Sequence, residues 1–484
     1  MQVTSTDVLI VGAGIAGISA AAHLRKMCPE KSFQIVEARQ AIGGTWDLFR
    51  YPGIRSDSDM HTYVYSFKPW RGGKVFGSAA DIKGYLNETI DDYQMRDKIQ
   101  LGLKVVKASW SSADKRWTVA LEDATSGEAK TVQCQFLFMC SGYYNYESGY
   151  VPDFKNMDLF KGTIAHPQLW PADLDYTGKK VLIIGSGATA VTLLPAMAPK
   201  AGHVTMLQRS PSYVAARPGF DNIVDVAHKI LPEFVASKFA RAKAVLMGVY
   251  IHRMCRRNPE KAKAFFIGQV REALGPDFDV GKHFTPSYKP WDQRVCMVPD
   301  GDLFKALRSG KASMATDHIE AFTETGVKLK SGATIDADII VPATGLDLKV
   351  LGGVQFEVDG KPFHIPEAVN YKGIGYCGLP NAITTFGYTK ASWTLKADLT
   401  SRYFCRLLKH MQQSGARQFV PKMVDASVTL GPWTDMSSGY FQRSIKKLPL
   451  QGDRAPWRVN QAVIPDILSL RFGAIDDGQM VFHP

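Results

Sequence analysis

Twice along the chain an apolar run of strand length ends on a Gly-x-Gly turn, enters a segment of helical period and returns through a second strand, at residues 7–37 and 181–207. That alternation predicts an α/β fold. The glycine spacing predicts that each copy is a Rossmann-like dinucleotide-binding domain. A third observation, a stretch of helical period over 221–275, adds a helical insertion. The predicted boundaries are 1–150 for the first part of the first domain, 151–220 for the first part of the second, 221–285 for the insertion, 286–342 for the second part of the second domain and 343–484 for a return to the first.

The elements follow in order. Residues 7–11 form a strand, 15–26 a helix and 33–37 a strand. From 103 to 140 short alternating stretches, such as 117–121 and 136–140, are separated by polar turns including Ser126-Gly127, which predicts a β-meander. The second unit runs through strand 181–184, helix 188–197 and strand 204–207. Residues 326–332 suggest a hairpin feeding a buried strand that ends on the glycine turn at Gly345, and 399–411 is helical amid Pro- and Gly-rich loops.

The chain has 484 residues, 45% hydrophobic and 21% charged, enough for two or three domains with real cores. No apolar run reaches the length of a membrane span and no signal peptide is evident, so a cytoplasmic protein is expected. Seven cysteines form no C-x-x-C pair and no zinc-like spacing, which argues against a metal site and a dithiol redox centre. The net charge of +12 is spread along the chain, so nucleic acid is not the expected partner. Between 221 and 275 ten Lys/Arg face five Asp/Glu, interleaved with Phe234, Phe239, Leu246, Tyr250, Phe265 and Phe266. A lid, the wall of an apolar substrate tunnel, and peripheral contact with the inner face of the cell membrane are the readings this segment leaves open.

The first turn, Gly12-Ala13-Gly14-Ile15-Ala16-Gly17, follows a strand and opens a helix, where free N–H groups favour a pyrophosphate; Gly12, Gly14, Ala16 and Gly17 are the candidate contacts. Glu37 ends the next strand and would accept from ribose hydroxyls while repelling a 2′-phosphate, so this site should take FAD or NAD. The second turn, Gly185-Ser186-Gly187-Ala188-Thr189-Ala190, has no acid after its second strand. Arg209 and Ser210 stand there instead, suited to the 2′-phosphate of NADPH. One site that rejects that phosphate and one that favours it assign FAD to the first and NADPH to the second, with hydride passing from nicotinamide to flavin.

Between the two lies Phe160-Lys-Gly162-Thr-Ile-Ala-His166-Pro-Gln-Leu-Trp170-Pro171, and upstream Gly43-Gly44-Thr45-Trp46 leads through Tyr51-Pro52-Gly53 to Asp57. Both stretches resemble signatures of the Baeyer–Villiger flavin monooxygenases, and 46–59, 140–150, 288–303 and 391–399 are most similar to the ethionamide-activating branch. The resemblance implies NADPH-dependent reduction of FAD, a flavin peroxide formed with dioxygen, and oxygen insertion beside the carbonyl of a small lipophilic ketone, with sulfides and thioamides as further substrates. It places the catalytic arginine at Arg294 and an orienting carboxylate at Asp57. A fixed guanidinium stabilises an anionic peroxide and the charge developing on the substrate without titrating. By the same resemblance Gly44, Thr45, Trp46, Asp57, Tyr63 and Val105 border FAD, and Trp393 lies where a C-terminal helix approaches the cofactors. One departure is Gln293, where the family commonly has a lysine that grips the 2′-phosphate. His166, in the connection between domains, suits a hydrogen-bonded hinge better than an acid–base group.

Two other oxidations stay open, that of sulfur or nitrogen and that of long-chain alkanes. A flavin disulfide reductase would need a cysteine pair that the sequence lacks. A protein that binds nucleotides without turnover would have no need of Arg294 and Asp57.

Overall fold

The computed structural model describes residues 3–484 and has the expected α/β architecture, built on two sheets with parallel cores. In the first sheet Val3–Val11 runs parallel to Phe33–Glu37 on one side and to Ala129–Met139 on the other. Ile99–Leu101 extends the edge beyond Phe33–Glu37. Ala129–Met139 turns back through the antiparallel Arg116–Asp123 and Leu103–Ser111, so the expected meander is present. The chain returns late: Gln355–Val358 pairs with Leu103–Ser111, and Ala382–Thr384 with Ala129–Met139.

The second sheet is all parallel, in the spatial order Ala312–Thr316, His203–Gln208, Lys180–Ile184, Ile339–Pro342 and Thr163–Ile164. Its central strands are apolar runs rather than alternating ones because both faces are covered. Val181 and Ile183 point into one core, with Leu193 and Leu194 of the helix Ala188–Met197, while Leu182 and Ile184 point into another around Phe160 and Phe322. The first sheet divides in the same way, as a side-chain period of two requires. Val8, Ile10, Phe136 and Phe138 face the helices Ile15–Met27 and Trp393–Ser414. Leu9, Val11, Leu137 and Met139 face Trp110, Trp117 and Phe356. The predicted hairpin over 326–332 is part of a three-stranded antiparallel sheet, Ile319–Thr323, Gly326–Leu329 and Thr334–Asp336.

Three helices, Asn222–Ile230, Glu233–Arg257 and Pro259–Leu274, occupy the stretch of helical period. A short parallel pair, Val214–Arg217 with Cys296–Pro299, clamps the two chain ends that flank them and sets Arg294 two residues before a strand. Among the described residues no helix is long and apolar enough to cross a membrane, and no group of metal-ligating side chains is assembled.

Candidate active site

Both glycine turns open onto one continuous cavity of about 1160 Å³. In the first turn Gly12 has φ +106°, and a Cβ there would sit 2.6 Å from the Cys140 carbonyl oxygen, so only glycine fits. The Gly14 and Gly44 backbones face each other closely enough that a Cβ on Gly44 would lie 3.2 Å from the Gly14 Cα. The helix Ile15–Met27 begins at Gly14 without a side-chain cap, leaving its first N–H groups open to the cavity. Glu37 is fixed at its strand end by the amides of Ala13, 2.8 Å, and Arg39, 3.0 Å. Burial raises the pKa of its carboxyl, and those two donors oppose the rise.

The second turn repeats this construction. Gly185 has φ +142° and runs against the Ala343 carbonyl, whereas a Cβ on Gly187 would meet nothing within 4 Å, leaving room above the helix start. Ser186 Oγ lies 2.8 Å from Ser212 Oγ and donates to the Ser210 carbonyl. Arg209 and Ser210, past the end of His203–Gln208, are exposed on the cavity rim.

Between the turns Arg294 Nη2 donates to Asp57 Oδ1 at 3.0 Å. The Asp57 charge raises the pKa of the guanidinium further above its ordinary value, and burial opposes this. The Arg294 side chain is 42% exposed, but what it meets is the cavity interior, surrounded by protein. Trp291, three residues earlier, holds φ +70°, a conformation that costs a non-glycine residue roughly 1–3 kcal/mol. Around the pair stand Tyr143, Tyr144 and Tyr440. Tyr143 shares a 3.1 Å hydroxyl contact with Tyr144 and stacks on Trp393 at 5.0 Å. Trp46 donates to the Tyr63 hydroxyl at 2.8 Å, which aims both rings.

Of the residues singled out from sequence, Gly12, Gly14, Ala16, Glu37, Gly44, Thr45, Trp46, Asp57, Tyr63 and Val105 line the cavity. So do Gly185, Ser186, Gly187, Ala188, Thr189, Arg209, Ser210, Arg294 and Trp393. Two do not reach it. A Cβ on Gly17 would lie 1.8 Å from the Gly12 carbonyl oxygen, so that glycine serves close packing of helix on turn; Ala190 is buried in the core beneath the second turn. His166 is not on the cavity wall: Nδ1 accepts from the Gln168 amide at 3.1 Å and its ring packs on Gly149. Sequence reasoning missed Tyr143, Tyr144 and Tyr440, and the cations Lys330 and Lys349 on the wall. A usable signal existed for the tyrosine pair, which follows the end of a parallel strand, the edge where α/β sheets bind ligands.

The N-terminal region, residues 10–71, matches the NAD(P)-binding Rossmann-like domain family. The chain is 48% identical over 483 residues to a probable FAD-binding monooxygenase AlmA of Acinetobacter baylyi, covering 98% of this chain and 96% of that one. It is 47% identical over 477 residues to the FAD-containing monooxygenase EthA of Mycobacterium tuberculosis, covering 98% and 97%. Among solved structures, a steroid monooxygenase bound to NADP superposes with a TM-score of 0.72 at 23% identity, covering 87% of this chain and 88% of that one. An open cyclohexanone monooxygenase gives 0.71 at 18% identity, covering 87% and 90%. Those two share the fold, and the identity to the first pair over nearly full length decides kinship: the chain belongs to the family of FAD-containing monooxygenases.

Proposed function

We propose that the protein oxidises ketones to esters or lactones in a Baeyer–Villiger reaction dependent on NADPH and dioxygen, and that the same site oxygenates sulfides. The observation that carries this reading is the Arg294–Asp57 pair, 3.0 Å apart, on the wall of a cavity that both glycine turns enter. FAD and NADPH, when bound, supply the reducing equivalents and the activation of dioxygen. Glu37 orients the FAD ribose, and the open N–H groups at the start of Ile15–Met27 receive the pyrophosphate. Ser186 and Gly187 hold the corresponding part of NADPH, and Arg209 with Ser210 its 2′-phosphate.

Arg294 is a permanent cation whose donors are aimed by Asp57, so it stabilises negative charge developing on the substrate carbonyl oxygen without exchanging a proton. The rings of Trp393, Tyr143 and Tyr440 dry the space beside it, which strengthens that interaction. The test is product analysis by mass spectrometry after incubating a panel of short, long and cyclic ketones with NADPH and ¹⁸O₂. An ester or lactone carrying one ¹⁸O is expected. NADPH consumption without any ester or lactone across the panel would overturn the reading.

A further inference from the structure

The helical insertion carries an apolar surface that none of the described residues covers. On Asn222–Ile230 the residues Ile223, Val226 and Ile230, spaced i, i+3, i+7, are all exposed, while Val224 and Ala227 face inward. On Glu233–Arg257 the outward stripe runs Val235, Phe239, Leu246 and Tyr250, spaced i, i+4, i+11, i+15, with Phe239 42%, Leu246 61% and Tyr250 64% exposed. The same stripe continues through Arg253 and Arg257. A surface this apolar on contiguous helices marks an interaction site.

The charge around it selects the occupant. Asp221, Asp225 and Glu233 are paired with Lys243, Lys229 and His228. Among the described residues Lys238, Arg253, Arg257 and Lys261 have no carboxylate within ion-pair distance, and Lys238 Nζ lies 3.8 Å from the Phe234 ring centre. Apolar side chains flanked by unpaired cations with long apolar stems suit the boundary between acyl chains and anionic headgroups. A second copy of the chain fits worse, because pairing this face with itself would bring these cations together.

We propose that the outer faces of Asn222–Ile230 and Glu233–Arg257 dock on an anionic phospholipid bilayer. The docked helix is also tied to the site. His252 packs edge-on against Trp291 at 5.7 Å and Arg256 pairs with Asp292 at 2.9 Å, both in the loop that ends at Arg294. Docking therefore engages the helix whose other side contacts the loop of Arg294. The docking itself does not depend on the chemistry proposed above.

The test is cosedimentation of the FAD-loaded protein with vesicles of phosphatidylglycerol or of phosphatidylcholine. Binding to the anionic vesicles is expected at low salt and should weaken at high salt. The triple variant Phe239→Ser, Leu246→Ser, Tyr250→Ser should bind about a hundredfold more weakly, at roughly tenfold or less per side chain withdrawn from the interface. Its melting temperature and its NADPH oxidation with a water-soluble substrate should match the parent, since these side chains touch neither core nor cavity. Failure of the parent protein to sediment with anionic vesicles at low salt would overturn the proposal. So would equal binding by the triple variant, or its conversion of a dimer to a monomer.

Discussion

Replacing Arg209 by alanine isolates the cofactor assignment. Arg209 stands on the cavity rim past His203–Gln208, exposed and with no ion-pair partner among the described residues, so its removal breaks nothing in the apoprotein and the melting temperature should hold. A hydrogen bond to a charged group contributes about 1.5–3 kcal/mol, equivalent to roughly 10–150-fold in affinity. Lys330, on the same cavity and following Gly326–Leu329, supplies a second cation where Gln293 supplies none, so the loss should fall at the lower end, near tenfold. Arg209→Ala with Lys330→Ala should move it toward the upper end. The assay is the initial rate of NADPH and NADH oxidation against nucleotide concentration. The KM for NADPH should rise and that for NADH stay within about twofold, because NADH lacks the 2′-phosphate. Equal rises for both nucleotides would refute the reasoning, since Arg209 would then act on something the two share.

Two further substitutions probe how the site is held. Gly12→Ala would force a Cβ against the Cys140 carbonyl oxygen at φ +106°, so it should cost about 3 kcal/mol or more of stability and leave the purified protein short of FAD, as the flavin-to-protein absorbance ratio would report. Asp398 accepts from His23 at 3.0 Å between Ile15–Met27 and Trp393–Ser414, with Arg241 of the helical insertion 3.8 Å away. Burial works against its charge, but the His23 hydrogen bond and the nearby cations hold its carboxyl well below the ordinary 3.8. A depressed folded pKa contributes stability above the unfolded value that is lost as pH falls. Asp398→Ala should therefore lose about 3–5 kcal/mol at pH 7 in urea unfolding, with the gap narrowing below about pH 4. A gap that widens in acid would contradict the pairing.

Much of this was legible in the sequence because each nucleotide turn is local. Gly12, Gly14, Glu37, Gly185, Gly187 and Arg209 lie in two segments of about thirty residues whose strand and helix periods set the geometry. Gly17 shows the limit of that locality: the spacing says that glycine is needed, not whether ligand or backbone requires it, and the Gly12 carbonyl leaves no room for a Cβ. What could not be read depends on distant pairings. Gln355–Val358 joins the first sheet some 250 residues after its partner Leu103–Ser111, and Tyr440 reaches Arg294 from the helix Gly439–Ser444, which is too short to show a periodic pattern. On 221–275 the helical period was visible, but which apolar stripe faces outward is decided by what the helices pack against.

The central claim is that Arg294, aimed by Asp57, stabilises the negative charge that forms during oxygen insertion. Ester formation from a ketone by purified Arg294→Ala, loaded with FAD and supplied with NADPH and oxygen, tests it most directly. Removing one donor of this kind in a dry site costs about 100–1000-fold in rate, so ester formation should fall by at least that factor while the flavin stays bound. Ester formation at the parent rate would contradict the account.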